Sequence, residues 1–228
     1  MMQGTPATWQ VLLEAGWQED LRLSKILCGG DALPQRLAER LLLCAESVWN
    51  MYGPTEATVW ASVWKVRQSQ EVVIGRPIAN YRLYVLGEDL SPVPPGSDGE
   101  LYIGGAGLAR GYHNKPEITR SRFLDNPFHK GLLYRTGDIA RFEDAERLSV
   151  LGRADGQVKI RGHRIELGDI EAAITDHSDM SEAVAISRDD RLVAYCVQDA
   201  SIPVPAEALK PTLGRCCVHG WPSGCRRI

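Results

Sequence analysis

Asn50-Met51-Tyr52-Gly53-Pro54-Thr55-Glu56-Ala57-Thr58 decides the reading of this chain. Val48 and Trp49 before it read as the end of a buried strand. Gly53 tolerates unusual φ and Pro54 fixes φ at about −65°, so the pair forces a turn, and Thr55 caps the segment after it. One aromatic ring, one hydroxyl and one carboxylate therefore meet at a strand end, where open α/β sheets bind ligands. A nucleotide suits the set: the Tyr52 face can stack on a base, Thr55 can donate to a phosphate, and Glu56 can hold a hard divalent cation. Alone, the stretch reads equally well as a tight turn with a surface glutamate.

Upstream, Thr5-Pro6 opens a helix over 5–17 that Gly16 ends. Ser24–Cys28 is a short strand closed by Gly29-Gly30-Asp31. Pro34 starts a second helix with Leu37, Leu41 and Cys44 on one face, and Glu46–Trp49 is the next strand. This β-loop-α-β order predicts a parallel α/β layer. Gly29-Gly30-Asp31 falls at a neighbouring strand end and could line the same crevice; a plain turn explains it as well.

Downstream, from Val59 to Gly111, the period drops to two. Trp60–Trp64, Tyr81–Leu86 and Glu100–Gly104 read as strands between Pro/Gly turns, a small antiparallel sheet or barrel separate from the α/β layer. Gly104–Gly111 lacks G-x-G-x-x-G spacing and no amphipathic helix comes after it, so its glycines serve tight backbone geometry. Pro116 opens a short helix ending near Phe123. Leu133–Asp138 is a strand running into a Gly turn, and Asp138 could accept both hydroxyls of a ribose through charged hydrogen bonds of about 1.5–3 kcal/mol each. A further strand starts at Leu148. Gln157–Ile165 alternates as a hairpin, Glu166 starts a helix, and Ala183–Ile186 and Leu192–Val197 are strands, so a boundary is placed near Asp155.

Net charge is −3, hydrophobic content 44% and charged content 24% over 228 residues, which argues against a nucleic-acid or membrane-surface partner. No apolar run nears the roughly 20 residues of a membrane span and no signal peptide is visible. The six cysteines form no C-x-x-C pair, which points to a reducing cytoplasm and no zinc-type site; Cys28, Cys44 and Cys196 read as core residues. Scattered histidines, and the lack of G-x-x-x-x-G-K-[ST], H-E-x-x-H and a nucleophile elbow, speak against other nucleotide, metallo- or hydrolase chemistries.

Five motifs stand in a fixed order: LCGGDAL (27–33), NMYGPTEAT (50–58), GELYIGGAGLARGY (99–112), YRTGD (134–138) and GRADGQVKIRGHRIELGDIE (152–171). Over roughly residues 3–213 the chain resembles the amino-acid-activating adenylation domain of nonribosomal peptide synthetases, within the acyl-adenylate-forming, AMP-binding enzymes. The wording of the second and fifth motifs favours this branch over acyl-CoA synthetases. The resemblance implies an α/β and α+β fold: a partial α/β layer, a small barrel-like antiparallel sheet and a small C-terminal α+β subdomain. It implies that a substrate carboxylate attacks the α-phosphate of Mg-ATP to give an acyl-adenylate and pyrophosphate. The acyl group then passes to the phosphopantetheine thiol of a carrier protein beside other synthetase domains.

By the same resemblance Tyr52 would stack on adenine, Thr55 would contact phosphate and Glu56 would bind Mg2+. Gly30 and Asp31 would border the ATP site, and Asp138 and Arg153 would hold the ribose. Gly29, Met51, Val59 and Trp60 would line the amino-acid pocket, with Met51 and Trp60 limiting its depth. Asp155 would be a hinge, and Lys159 and Arg164 would face the site in the thiolation state.

Two parts of the family pattern are missing. The Ser/Thr/Gly-rich phosphate loop would precede residue 1, and no closing Pro-Lys-x-x-x-Gly-Lys segment is found at the other end. The expected division is 1–154 for the incomplete core, 155–213 for the truncated small subdomain and 214–228 for a frameshifted tail. One codon choice for 215–227, read from its third base, encodes an amphipathic helix ending in Leu-Pro. On this reading the chain is a ligase fragment, inactive alone. A non-catalytic carrier-docking module and an acyl-CoA synthetase fragment are the alternatives.

Overall fold

The computed structural model describes residues 1–17, 22–154, 157–160, 163–176, 180–188, 191–198 and 225–227. Its packing divides the chain into two units, Met1–Ala154 and Asp155–Ile228.

The first unit opens with a five-stranded sheet of β1 (Met2–Gly4), β2 (Ile26–Gly29), β3 (Val48–Tyr52), β4 (Ser62–Val66) and β5 (Arg76–Pro77), ordered as in sequence. The β1–β2 and β2–β3 pairs are parallel, whereas β4 returns antiparallel to β3 and β5 to β4. Helix α1 (Pro6–Glu14) starts at Thr5, whose hydroxyl accepts the Thr8 N–H at 3.2 Å, and Pro6 fits the first turn because its missing N–H would be unpaired there anyway. Helix α2 (Gln35–Cys44) buries Leu37, Ala38, Leu41 and Cys44 at helical spacing. These join Trp9, Ile26, Cys28 and Val48 in one core. Each such large side chain taken out of water contributes about 1.5–3 kcal/mol.

The strand expected at Trp60–Trp64 starts two residues later, at Ser62, and extends the α/β sheet rather than opening a separate one. The cause lies in the preceding turn. Thr58 and Val59 both adopt left-handed backbone, φ 51° and 72°, so the chain doubles back and Ala61 N–H donates to Tyr52 O at 2.8 Å. Gly53 permits the close return, since a Cβ there would lie 2.6 Å from Val59 O. A period of two identifies a strand but not its partner.

The second sheet runs β10 (Leu148–Arg153), β9 (Leu132–Phe142), β7 (Asp98–Gly105), β6 (Tyr81–Leu86), all antiparallel, with β8 (Phe123–Asp125) added to β9 after helix α3 (Pro116–Arg122). Val85, Leu101, Ala140 and Leu148 form its core with Ile74, and Tyr52 packs against them. Ile74 N–H donates to Leu148 O at 2.9 Å. The C-terminal end of β3 is thereby held against the second sheet.

In the second unit β11 (Val158–Ile160) and β12 (His163–Ile165) form an antiparallel hairpin with Lys159 opposite Arg164. Helix α4 (Leu167–Thr175) packs Ile170 and Ile174 with Met180, Ala183, Ala194 and Cys196 of β13 (Met180–Arg188) and β14 (Arg191–Gln198). Glu171 accepts the Ala185 N–H at 2.8 Å, tying the helix to β13. β15 (Cys225–Arg227) pairs with β14. Asp155, the expected hinge, lies outside the described residues, as does most of 214–228. Among the described residues no helix is long and apolar enough to cross a membrane.

Candidate functional site

Tyr52 ends β3, and its hydroxyl donates to Asp138 Oδ2. Arg153 Nη1 donates to Asp138 Oδ1 at 2.7 Å, and its Nη2 to Thr136 O at 3.2 Å. Three residues 86 and 15 positions apart in the chain thus form one hydrogen-bonded cluster. Burial, and next the negative charge of Asp138, push the Tyr52 phenol well above its ordinary range, so its proton stays on oxygen as a donor.

A bulge in β9 aims the carboxylate. The ladder pairs Glu100 with Ile139 and Tyr102 with Arg135, which leaves residues 136–138 opposite Leu101 alone. Gly137, at φ 79°, supplies the left-handed residue such a bulge needs. Thr136 fixes the bulge: its hydroxyl donates to Leu101 O at 2.6 Å and accepts the Asp138 N–H at 3.0 Å. Arg153 sits directly across the β9–β10 ladder from Asp138. A carboxylate has about four acceptor positions. Tyr52 and Arg153 take one on each Asp138 oxygen, and each oxygen retains capacity for a second donor, the pattern a vicinal diol requires.

Glu56 lies in the single helical turn Thr55–Ala57 and is 8% exposed. Its Oε1 accepts the Tyr112 hydroxyl at 2.6 Å, and its backbone oxygen accepts the Ala109 N–H at 2.8 Å. Thr55, one residue earlier, is exposed. Met51 is paired with Gly29 across the parallel ladder, and a Cβ on Gly29 would lie 2.5 Å from the Trp60 ring. Gly29, Met51 and Trp60 therefore form one wall. Val59, next to Trp60 in the chain, is 50% exposed. Gly30 takes φ 89° and Asp31 accepts the next N–H, from Ala32, at 2.8 Å, so this pair forms a turn at the end of β2. Lys159 and Arg164 occupy facing positions of the β11–β12 hairpin in the other unit.

Tyr112 and Thr136 belong to the site but drew no role from the sequence. Both lie inside the five motifs; Thr136 stands two residues before the acidic Asp138 of its motif, whereas nothing local to Tyr112 points to Glu56. A groove of about 700 Å³ lined by Trp49, Trp64, Lys65 and Arg147, among others, shares no residue with this cluster.

Residues 1–113 match the family model described as AMP-binding enzyme. The chain is 58% identical over 212 residues to a hybrid polyketide–nonribosomal peptide synthetase of Aspergillus candidus, covering 93% of this chain and 8% of that protein. It is similar in structure to a four-domain nonribosomal peptide synthetase bound to AMP and glycine, with TM-score 0.63, 42% identity and coverage of 92% of this chain and 16% of that one. A second solved protein, containing adenylation and peptidyl-carrier domains, matches with TM-score 0.74 and 30% identity over 91% of this chain and 44% of its own. The chain thus spans a small part of the curated relative and less than half of either solved protein.

Proposed function

The chain belongs to the AMP-binding enzyme family, among the adenylation domains of nonribosomal peptide synthetases, and from that premise we propose that it carries the nucleotide and amino-acid contacts of an amino-acid-activating ligase. The observation that carries this reading is the Tyr52–Asp138–Arg153 cluster at the end of β3, beside the Gly29–Met51–Trp60 wall. A nucleoside fits it: Asp138 keeps one acceptor position per oxygen for the two ribose hydroxyls, and Arg153 balances its charge. The Tyr52 ring offers a face for the base.

In the proposed reaction the carboxylate oxygen of an amino acid attacks the α-phosphorus of ATP. The P–O bond to the β-phosphate breaks, pyrophosphate leaves, and an aminoacyl-adenylate remains. A carrier-protein phosphopantetheine thiol then takes the acyl group and releases AMP. The synthetase relatives, and the solved relative bound to AMP and glycine, support an amino acid over a fatty acid as substrate. The solved relative with a carrier domain supports the acceptor.

Magnesium ordinarily binds through one or two carboxylates plus substrate phosphates rather than a protein cage. The donor set fits this: Glu56 offers a carboxylate at the β3 turn, and among the described residues no cluster of three His, Cys, Asp or Glu forms a cage. Bound there, the ion would neutralise phosphate charge. Glu56 would hold it, Thr55 would donate a hydrogen bond to phosphate, and Asp138 and Arg153 would fix the ribose.

Calorimetric titration with AMP tests the reading. The expected result is binding that Asp138→Ala weakens at least tenfold. Absence of AMP binding, or equal affinity in the variant, would refute it.

A further inference from the structure

Glu100 of the third motif and Arg135 of the fourth take no part in the chemistry described so far, yet both reach the bulge that aims Asp138. Residues 136–138 have no one-to-one partners in the β7–β9 ladder, and Gly137 is buried. A buried N–H needs an acceptor, and here a side chain supplies it: Glu100 Oε1 accepts the Gly137 N–H at 3.2 Å. The carbonyls of the bulge are held from the β10 side. Ala154 N–H donates to Gly137 O at 2.9 Å, and Arg153 Nη2 to Thr136 O at 3.2 Å.

Glu100 is itself fixed. Its side chain is 13% exposed. Arg135 Nε donates to Oε1 at 2.9 Å, Arg135 Nη2 lies 2.9 Å from Oε2, and the Tyr102 hydroxyl donates to Oε2 at 3.3 Å. Arg135 and Tyr102 are ladder partners, so the carboxylate is gripped from β7 and β9 at once. A two-pronged guanidinium contact selects one glutamate rotamer from several. Glycine is the most permissive residue, so at position 137 the backbone direction depends on what binds its peptide groups.

Resting on the nucleotide reading above, we propose that Glu100 is a positioning residue for the ribose: by holding the Gly137 N–H it fixes the direction in which the Asp138 carboxylate meets the two hydroxyls. It acts through Asp138 rather than on the nucleotide, and Arg135 acts through Glu100. Loss of this hold misaims Asp138 and weakens the ribose contacts, while contacts to base and phosphate stay.

The test is calorimetric titration with AMP and with 2′,3′-dideoxy-AMP, which lacks both hydroxyls. The chains are wild type, Glu100→Ala, Glu100→Gln, Arg135→Met, Asp138→Ala and the Glu100→Ala/Asp138→Ala double variant. Wild type is expected to prefer AMP at least tenfold. Glu100→Ala loses at least threefold in AMP affinity, binds dideoxy-AMP within twofold of wild type, and adds nothing in the Asp138→Ala background. Glu100→Gln, whose carbonyl oxygen can still accept the Gly137 N–H, keeps the preference within twofold of wild type. Arg135→Met, at a side chain 48% exposed, lowers the preference at least twofold and reads the same hold should Glu100→Ala not fold. An undiminished preference in Glu100→Ala or in Arg135→Met overturns the proposal. So does an equal loss for both nucleotides, which marks a structural role, or a further loss in the double variant. A wild-type chain that binds neither nucleotide, or both equally, overturns the ribose reading of Asp138 and this proposal with it.

Discussion

Replacing Asp138 by Asn removes a charge and almost no volume, so the response isolates the electrostatic coupling at the centre of the site. The Arg153–Asp138 pair lies at 2.7 Å with side chains 15% and 12% exposed, and so is not a surface ion pair worth about 0–1 kcal/mol. Removing one partner of a fully buried pair costs about 3–5 kcal/mol. Here some solvent reaches both groups, and Asn can still offer Arg153 one acceptor while its amide turns to the Tyr52 hydroxyl. The expected loss is therefore near the value of one charged hydrogen bond, about 2 kcal/mol. With a urea slope of about 2 kcal/mol per molar, the unfolding midpoint of the first unit falls by about 1 M. Tryptophan fluorescence reads that unit, because Trp9, Trp17, Trp49, Trp60 and Trp64 all lie in Met1–Ala154. Arg153→Met and the double variant complete the cycle. A midpoint shift below about 0.2 M in Asp138→Asn, or additive single effects, would refute the coupling.

Two further outcomes rest on the same geometry. Tyr52 and Tyr112 both have phenol pKa values raised above the unfolded value of about 10. Their contribution is complete below pH 10 and is lost as pH rises toward the folded values, so stability falls with alkali. Absorbance at the phenolate band tracked against fluorescence unfolding checks this; ionisation of both groups in the folded chain near pH 10 would contradict it. Gly29→Ala forces a methyl against the Trp60 ring and Met51 O, and overpacking of that kind costs about 1–3 kcal/mol. Urea unfolding should show that loss together with altered Trp60 emission, and an unaffected midpoint and spectrum would mean the wall yields freely.

Local chemistry carried much of the site. Gly53-Pro54 at a strand end, with Tyr52 before it and Glu56 after, could be read from turn stereochemistry alone, and the helices over Pro6–Glu14 and Gln35–Cys44 came from start signals and spacing. What escaped depends on partners distant in the chain. Ser62–Val66 alternates as any strand does, and only the left-handed pair Thr58-Val59 sends it back beside Val48–Tyr52. The aim of Asp138 comes from a register break opposite Leu101, which depends on two strands at once. The Tyr112 hydroxyl finds a carboxylate 56 residues earlier, and no periodicity encodes such a contact.

The backbone at Val59 carries a consequence for how this region can change. A β-branched residue at φ 72° is disfavoured by about 1–2 kcal/mol, and glycine or asparagine would relieve it. With half its surface exposed, the side chain recovers little of that through burial. Were Val59 to line the amino-acid pocket, thermodynamic selection and ligand selection would pull in opposite directions at this one position. Substitutions that make the turn more comfortable remove the side chain next to Trp60, and those that keep a β-branched side chain leave the backbone strained. Libraries sorted for stability should drift toward glycine at 59, and libraries sorted for binding should drift away from it.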